Sequence, residues 1–248
     1  MIQNNSNRTG TTVIRGVISD LRKRKESRDA VFSPDDKTAL QGTAVAAAAL
    51  GLGSVAVGLS VSDEFTADSG DLMNFRLNDM PVEVWVWHSE FEEGDEVEVV
   101  AEWVGDKWIG FAVRRLRDGM VAVYPHCERG SRAFYLYVLK YIAALYGAGF
   151  FLVYSGMIVL TIYHHKHNWV SLHIFIIWVA LVFGLIILFI AWRVTKRFAK
   201  TRKMADQIFS AFGWKKPAYI NLPRETKRDL RRGDSPLMGI AIFRYNPK

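Results

Sequence analysis

"YIAALYGAGFFLVYSGMIVLTIY", Tyr141–Tyr163, is followed by "HHKHNW", His164–Trp169, and then by "VSLHIFIIWVALVFGLIILFIAW", Val170–Trp192. Each apolar run is 23 residues long and holds no formally charged side chain. At helical rise each spans roughly 35 Å, enough to cross a hydrocarbon core of about 30 Å with some tilt. A helix buried in a globular protein is rarely apolar on every face for this length. Two membrane helices are therefore expected, and a six-residue link forces them into an antiparallel hairpin. Tyr141, Tyr163, Trp169 and Trp192 stand near the ends, where amphipathic rings favour the interface. Small residues at four-residue spacing, Ala143–Gly147 and Ala180–Gly184, suit close packing of the two backbones.

Charge divides the rest of the chain. Residues 1–37 carry eight basic and five acidic side chains, residues 38–133 seven and sixteen, and residues 193–248 fifteen and four. Only Lys140 and Lys166 fall in residues 134–192. This suggests four segments: a flexible or helical polar head at 1–37, an acidic β domain at 38–133, the hairpin at 134–192 and a basic tail at 193–248. Basic residues flank both runs, whereas the link holds only Lys166, so the positive-inside rule puts both termini in the cytoplasm and the link outside. Arg129, Arg132, Arg193, Lys196, Arg197 and Lys200 are the candidates for contact with anionic headgroups. In the tail, Ile208, Phe209, Phe212 and Trp214 could lay an apolar stripe on the interface.

His164, His165 and His167 read as a polar hairpin tip. Their i, i+1, i+3 spacing in a tight turn seldom converges on one ion, and no nearby acid or thiol completes a ligand set. A metal site and a pH-sensing role are the alternatives. "TALQGTAVAAAALGLGSVAVGLSVS", Thr38–Ser62, is also free of charge. Its Ala, Gly, Val and Ser contribute little to insertion, and a third span would put the head or the basic tail outside. Strands in the soluble domain are expected there, with a membrane segment as the alternative.

From Phe75 the pattern is β. "VEVWVW" alternates strictly, with Val82, Val84 and Val86 on one face and Glu83, Trp85 and Trp87 on the other. Turns at "NDMP", Gly94-Asp95, Gly105-Asp106 and Asp118-Gly119 separate short strands at even spacing. The fold class is α+β: a small OB-like β-barrel, then the helical hairpin, then a basic cytoplasmic tail. Met238–Tyr245 is a further short strand that could cover a barrel edge. A domain of net −9 repels phosphate, so nucleic acid is not an expected partner. Most of its tryptophans suit a barrel core. The surface candidates for binding a protein are Trp85, Trp87, Arg114, Arg115 and Arg117, because Trp and Arg are favoured at contact centres.

"YPHCERGSR", Tyr124–Arg132, brings His126, Cys127 and Glu128 together in sequence. A metal or nucleophile reading competes there with a domain-to-membrane elbow, in which Pro125 breaks the strand and Gly130 permits a turn. Adjacent residues rarely converge, and no second cluster supplies partners. No Ser-His-Asp order, paired-carboxylate motif, P-loop or zinc signature is visible. A non-enzymatic role without a cofactor is expected.

"NFRLNDMPVEVWVWHSEFEEGDEVEVVAEW", with "GFAVRRLRDGMVAVYPHCERG" and the two apolar runs after it, resembles small bacterial membrane proteins related to type VI secretion effectors and encoded near toxin and immunity genes. The resemblance covers about residues 40–192. It implies an inner-membrane protein of interbacterial competition, an immunity or accessory protein whose β domain binds a toxin or a secretion component. The alternative is a membrane-active effector that inserts its hairpin and disrupts the target membrane. The lipid bilayer is the second expected partner, and another copy of the chain a third candidate.

Overall fold

The computed structural model describes residues 11–27, 69–163, 169–197 and 199–247. The histidines of the link and the Thr38–Ser62 stretch lie outside the described residues. The chain forms two units, one from residues 1–133 together with 200–248, the other from 134–199. The expected division into four segments is thereby corrected. The tail packs into the same unit as the barrel, and the head supplies one of the barrel's strands.

The described strands are β1 (Thr12–Ser27), β2 (Ser69–Leu77), β3 (Met80–Val86), β4 (Glu96–Val104), β5 (Lys107–Arg115), β6 (Met120–Val123) and β7 (Phe243–Arg244). β1 pairs antiparallel with β4 through Thr12–Val17 and with β2 through Ile18–Ser27. A bulge between Ser19 and Arg22, where Asp20 adopts a φ of 52°, bends β1 as it changes neighbour. A second bulge makes Phe111 the extra residue of β5. β5 then reaches β3 in a parallel pairing, with Val82 opposite Trp108 and Val84 opposite Gly110. The ring β1-β2-β3-β5-β4 closes a five-strand barrel. Asn78 and Asp79, both at positive φ, make the two-residue turn between β2 and β3.

Alternation sorts the side chains as the sequence pattern requires. Val82, Val84, Val86, Val97, Val99, Ala101 and Trp108 meet inside the barrel. Trp85, Val100, Ile109 and Phe111 face outwards, yet they are buried too, because the tail covers them.

That cover begins with α3 (Ala199–Ala211; the helices are numbered here in chain order). Its Met204, Ala205, Ile208 and Phe209 pack on the outer face of the barrel, followed by Trp214, Ile220, Leu222 and Phe243. The interfacial stripe expected of Ile208, Phe209 and Trp214 is therefore core, and Phe212 is packed against it. A short helix α4 (Leu222–Arg228) leads towards β7, which pairs with β6 and covers that edge as expected of the Met238–Tyr245 segment.

α1 (Ser131–Tyr163) and α2 (Trp169–Arg197) are long and apolar enough to cross a membrane. Their apolar windows are almost wholly exposed within the chain. In the second unit Tyr146 donates its hydroxyl to the Ala180 carbonyl at 3.0 Å. Gly184 lies beside that ring, where an added Cβ would make ordinary van der Waals contact at 3.5 Å from the Tyr146 oxygen, whereas Gly147 faces open space. Tyr154 and His173 stack at 6.0 Å.

The approach to α1 is held by the tail. Gly130 donates its N–H to the Ile220 carbonyl at 2.9 Å, and Leu222 donates to the Glu128 carbonyl at 3.1 Å. Asp206 of α3 accepts the N–H of Ser131, the first residue of α1, at 2.9 Å. A Cβ on Gly130 would lie 2.3 Å from the Pro217 carbonyl oxygen and 2.7 Å from the Ala218 backbone. Gly130 is thus required by close backbone approach rather than by a left-handed turn. Gly130→Ala is expected to cost about 1–3 kcal/mol through overpacking, read as a lower unfolding midpoint of the full chain in detergent. Gly147→Ala is the matched control and should leave that midpoint unchanged.

Candidate functional site

The tryptophan-arginine patch expected at the surface is dispersed by the fold. Trp85 is buried, edge-on to Tyr124 at 5.2 Å, with its Nε1–H donating to the Glu26 carbonyl. Arg115 is buried as well. Its guanidinium reaches Asp95 at 2.9 Å, Asp118 at 2.8 Å and the Glu90 carbonyl at 3.3 Å. Burial by itself lowers the pKa of such a group, but the hydrogen bonds to Asp118 and Asp95 outweigh it and hold Arg115 above its ordinary value. These two residues organise the core and a turn, a correction to their assignment as surface anchors. The physical reason is that the outward face of β3 lies under cover, and that the arginine gathers acids on both sides of its turn.

The remaining members of the patch stay nearer the surface but do not converge. Trp87 is half-buried and meets the His126 ring at 5.2 Å. Arg114 pairs with Glu98 at 3.3 Å. Arg117 is exposed and reaches Asp95 at 3.5 Å.

Another surface gathers residues that the sequence left scattered. A groove of about 290 Å³ is lined by Asp20 and Arg22 at the β1 bulge, Arg76 of β2, Pro81 and Glu83 of β3, and Lys107 of β5. Glu83 and Lys107 pair across the β3–β5 seam at 3.2 Å. Arg22 approaches Asp20 at 3.5 Å. The groove therefore presents both signs of charge within a few ångströms. Its polar side chains can grip a polypeptide through paired charges, while a uniformly anionic backbone would meet Asp20 and Glu83. No local motif announces this site. Its members come from four strands, and only the bulge and the parallel seam unite them.

The elbow residues diverge. His126 is exposed, at a φ of 65°. Cys127 is fully buried, with its sulfur 3.7 Å from the Thr201 carbonyl, and burial pushes its thiol well above the ordinary range. Glu128 turns to Arg129 at 2.6 Å. Among the described residues, no three His, Cys, Asp or Glu side chains form a group that could hold a metal ion.

Of the residues expected at the membrane surface, Arg129 is largely buried in its pair with Glu128, and Arg132 is exposed over the Tyr219 ring at 5.3 Å. In the second unit Arg193 is exposed, and the Lys196 ammonium lies 4.3 Å from the centre of the Trp192 ring. The side chains of Arg197 and Lys200 lie outside the described residues. Arg202, which belongs to the same basic run in sequence, is buried and held down to about 10, first by burial and further by the charge of Arg129, against the pull of Glu128 and Asp206.

Comparison with models of known protein families, with curated proteins and with solved structures finds no match.

Arg115→Ala is expected to cost about 3–5 kcal/mol by removing the buried partner of Asp95 and leaving it only the longer contact with the exposed Arg117. Arg117→Ala, at an exposed pair, should cost less than about 1 kcal/mol. Chemical denaturation of the two variants checks the contrast. Acid provides a second test. Hydrogen bonding to Arg244 holds Asp234 down to about 2, and the bond from Arg115 lowers Asp118 despite its burial. A carboxylate with a depressed folded pKa contributes stability above its unfolded value, near 3.8 for Asp234, and loses it as the pH falls towards 2. The unfolding midpoint should therefore drop across this window, and Asp234→Asn should flatten the drop while lowering the plateau above it.

Proposed function

We propose that this protein is a bacterial inner-membrane protein linked to type VI secretion, an immunity or accessory protein that binds a toxin or a secretion component through an OB-like barrel held on the cytoplasmic side by a helical hairpin. The observation that carries the membrane part is the construction of the first unit from chain on both sides of α1 and α2. One folded unit occupies one compartment, so an even number of crossings must separate its parts. Ser27 and Ser69 are ladder partners in the barrel and so also share one side. Two long apolar helices left mostly exposed within the chain find a matching environment in lipid. The basic residues of the flanks favour the cytoplasm for the first unit and both termini.

The ring order with a parallel β3–β5 seam supports the OB-like reading, and the groove on β1, β2, β3 and β5 offers a surface to a protein partner. The link to secretion and toxin protection is carried by the sequence resemblance of the strand and elbow motifs. Non-enzymatic action without a cofactor belongs to the same reading.

Reporters fused at Arg132, Lys166 and Lys203 should read inside, outside and inside, and an outside signal at Lys203 would sink the hairpin topology. For the function, cells with and without the gene are set against a rival that secretes the neighbouring toxin. The gene should raise survival. Arg22→Glu in the groove should weaken capture of the toxin about tenfold, with membrane fractionation and the unfolding midpoint unchanged. Equal survival with and without the gene removes the immunity role. Growth arrest and loss of membrane potential on expressing the protein alone assign the membrane-active effector role instead.

A further inference from the structure

We propose that Lys215, Lys216 and Tyr219, together with Arg132, form a binding surface for anionic phospholipid headgroups. The inference rests on the hairpin lying in a membrane and adds residues that the tail's sequence does not single out as lipid contacts.

The position of the turn follows from backbone contacts within the first unit. The Pro217 and Ala218 backbone fills the space where Gly130 has no Cβ, and the Ile220 carbonyl accepts the Gly130 N–H. The turn is thus clamped to the residue directly before α1. Arg132, the second residue of α1, donates to the Tyr219 hydroxyl and lies over its ring. From Arg132 the helix runs into apolar sequence, and Lys140 is its only further charged residue before Tyr163. The uncharged run begins at Tyr141, nine residues on, so Arg132 stands about 13.5 Å along the helix from its start.

The chemistry of the turn matches an anionic headgroup. Lys215 and Lys216 are both exposed. Lys216 is held left-handed, at φ 54° and ψ 57°, and its carbonyl accepts the Tyr219 N–H at 2.9 Å. Pro217 opens the 3₁₀ turn that follows. The two ammonium groups therefore project from an ordered turn and are not part of a frayed terminus. Residues 207–224 contain Lys215, Lys216 and Arg224 and no acidic residue. Tyr219 is 52% exposed, and an amphipathic ring beside a guanidinium is suited to the headgroup layer. Arg129 and Arg202 are balanced by Glu128 and Asp206, so the unpaired positive charge of this stretch rests on the exposed Lys215 and Lys216.

A basic residue near an anionic bilayer contributes about fivefold to partitioning. The full chain in detergent is titrated with phosphatidylglycerol or with phosphatidylcholine, and bound lipid is read by native mass spectrometry. Phosphatidylglycerol should be preferred, and Lys215→Gln with Lys216→Gln should weaken its binding about 25-fold while phosphatidylcholine binding stays the same. Arg231→Gln with Arg232→Gln, elsewhere on the tail, should keep the preference. Wild-type binding of phosphatidylglycerol by the lysine variant overturns the proposal. Full competition by inorganic phosphate at equal concentration overturns it too, because the surface would then take a free anion. Release of the wild-type chain from native membranes by alkaline carbonate is a separate outcome that fails the hairpin reading itself. Retention there, with loss of lipid preference in the lysine variant, supports both.

Discussion

Two backbone hydrogen bonds, from Gly130 to Ile220 and from Leu222 to Glu128, join the chain that enters the apolar helices to the chain that leaves them. The remaining architecture depends on this clasp. It sets α3 beside the start of α1, where Asp206 accepts the Ser131 N–H. It seats the Pro217–Tyr219 turn on Gly130, and it delivers Leu222 and Ile220 to the outer core of the barrel. A bond between two backbone groups contributes only about 0.5–1.5 kcal/mol, so the clasp does not act by strength. It acts by closing a loop whose ends must then share one compartment.

The barrel would be poorly protected without that closure. Its interior is filled by its own strands, but Trp85, Val100, Ile109 and Phe111 point outwards from it. An open sheet face carrying such residues is an aggregation hazard. The tail answers it with Met204, Ile208, Phe209 and Trp214, and β7 caps the edge at β6. The hairpin therefore interrupts a single domain in sequence.

Much of this was legible in the sequence. Strict alternation at Val82–Trp87 separated the two faces of β3, and uninterrupted apolarity assigned the two long helices. β1 was not legible. "RKRK" at Arg22–Lys25 reads as a solvated run, and the bulge at Asp20 shifts the period just where the strand changes partner. Its pairing residues lie as far off as Ala101, so local pattern could not reveal it. The stripe of Ile208 and Phe209 was visible, but the same spacing serves a lipid interface and a protein core. Only the distant barrel face decides between them. Trp85 was misread for the reciprocal reason: the face it lies on was correctly assigned, and its cover was not. The groove escaped notice because Asp20, Arg76, Glu83 and Lys107 meet only through the barrel's closure.

The same closure changes the electrostatic argument. Read by segment, the chain has an acidic domain that would be repelled by an anionic bilayer and would attract a basic partner. Folded, the first unit contains 27 basic and 25 acidic side chains, and the second contains five basic and no acidic ones. Long-range steering by net charge is then weak, since a near-neutral body has little field beyond a Debye length of about 8–10 Å. Discrimination between partners has to arise from local pattern, as in the groove where Arg22, Arg76 and Lys107 alternate with Asp20 and Glu83. A site of that kind rewards a partner whose charges are in register and penalises one that leaves a charge desolvated without its counterpart. Under the proposed function, attachment to the bilayer would remove most of the search, because a partner confined to the same surface would not need to be drawn from solution. Weak steering follows from a tail that folds back onto the barrel, and the proposed attachment complements it.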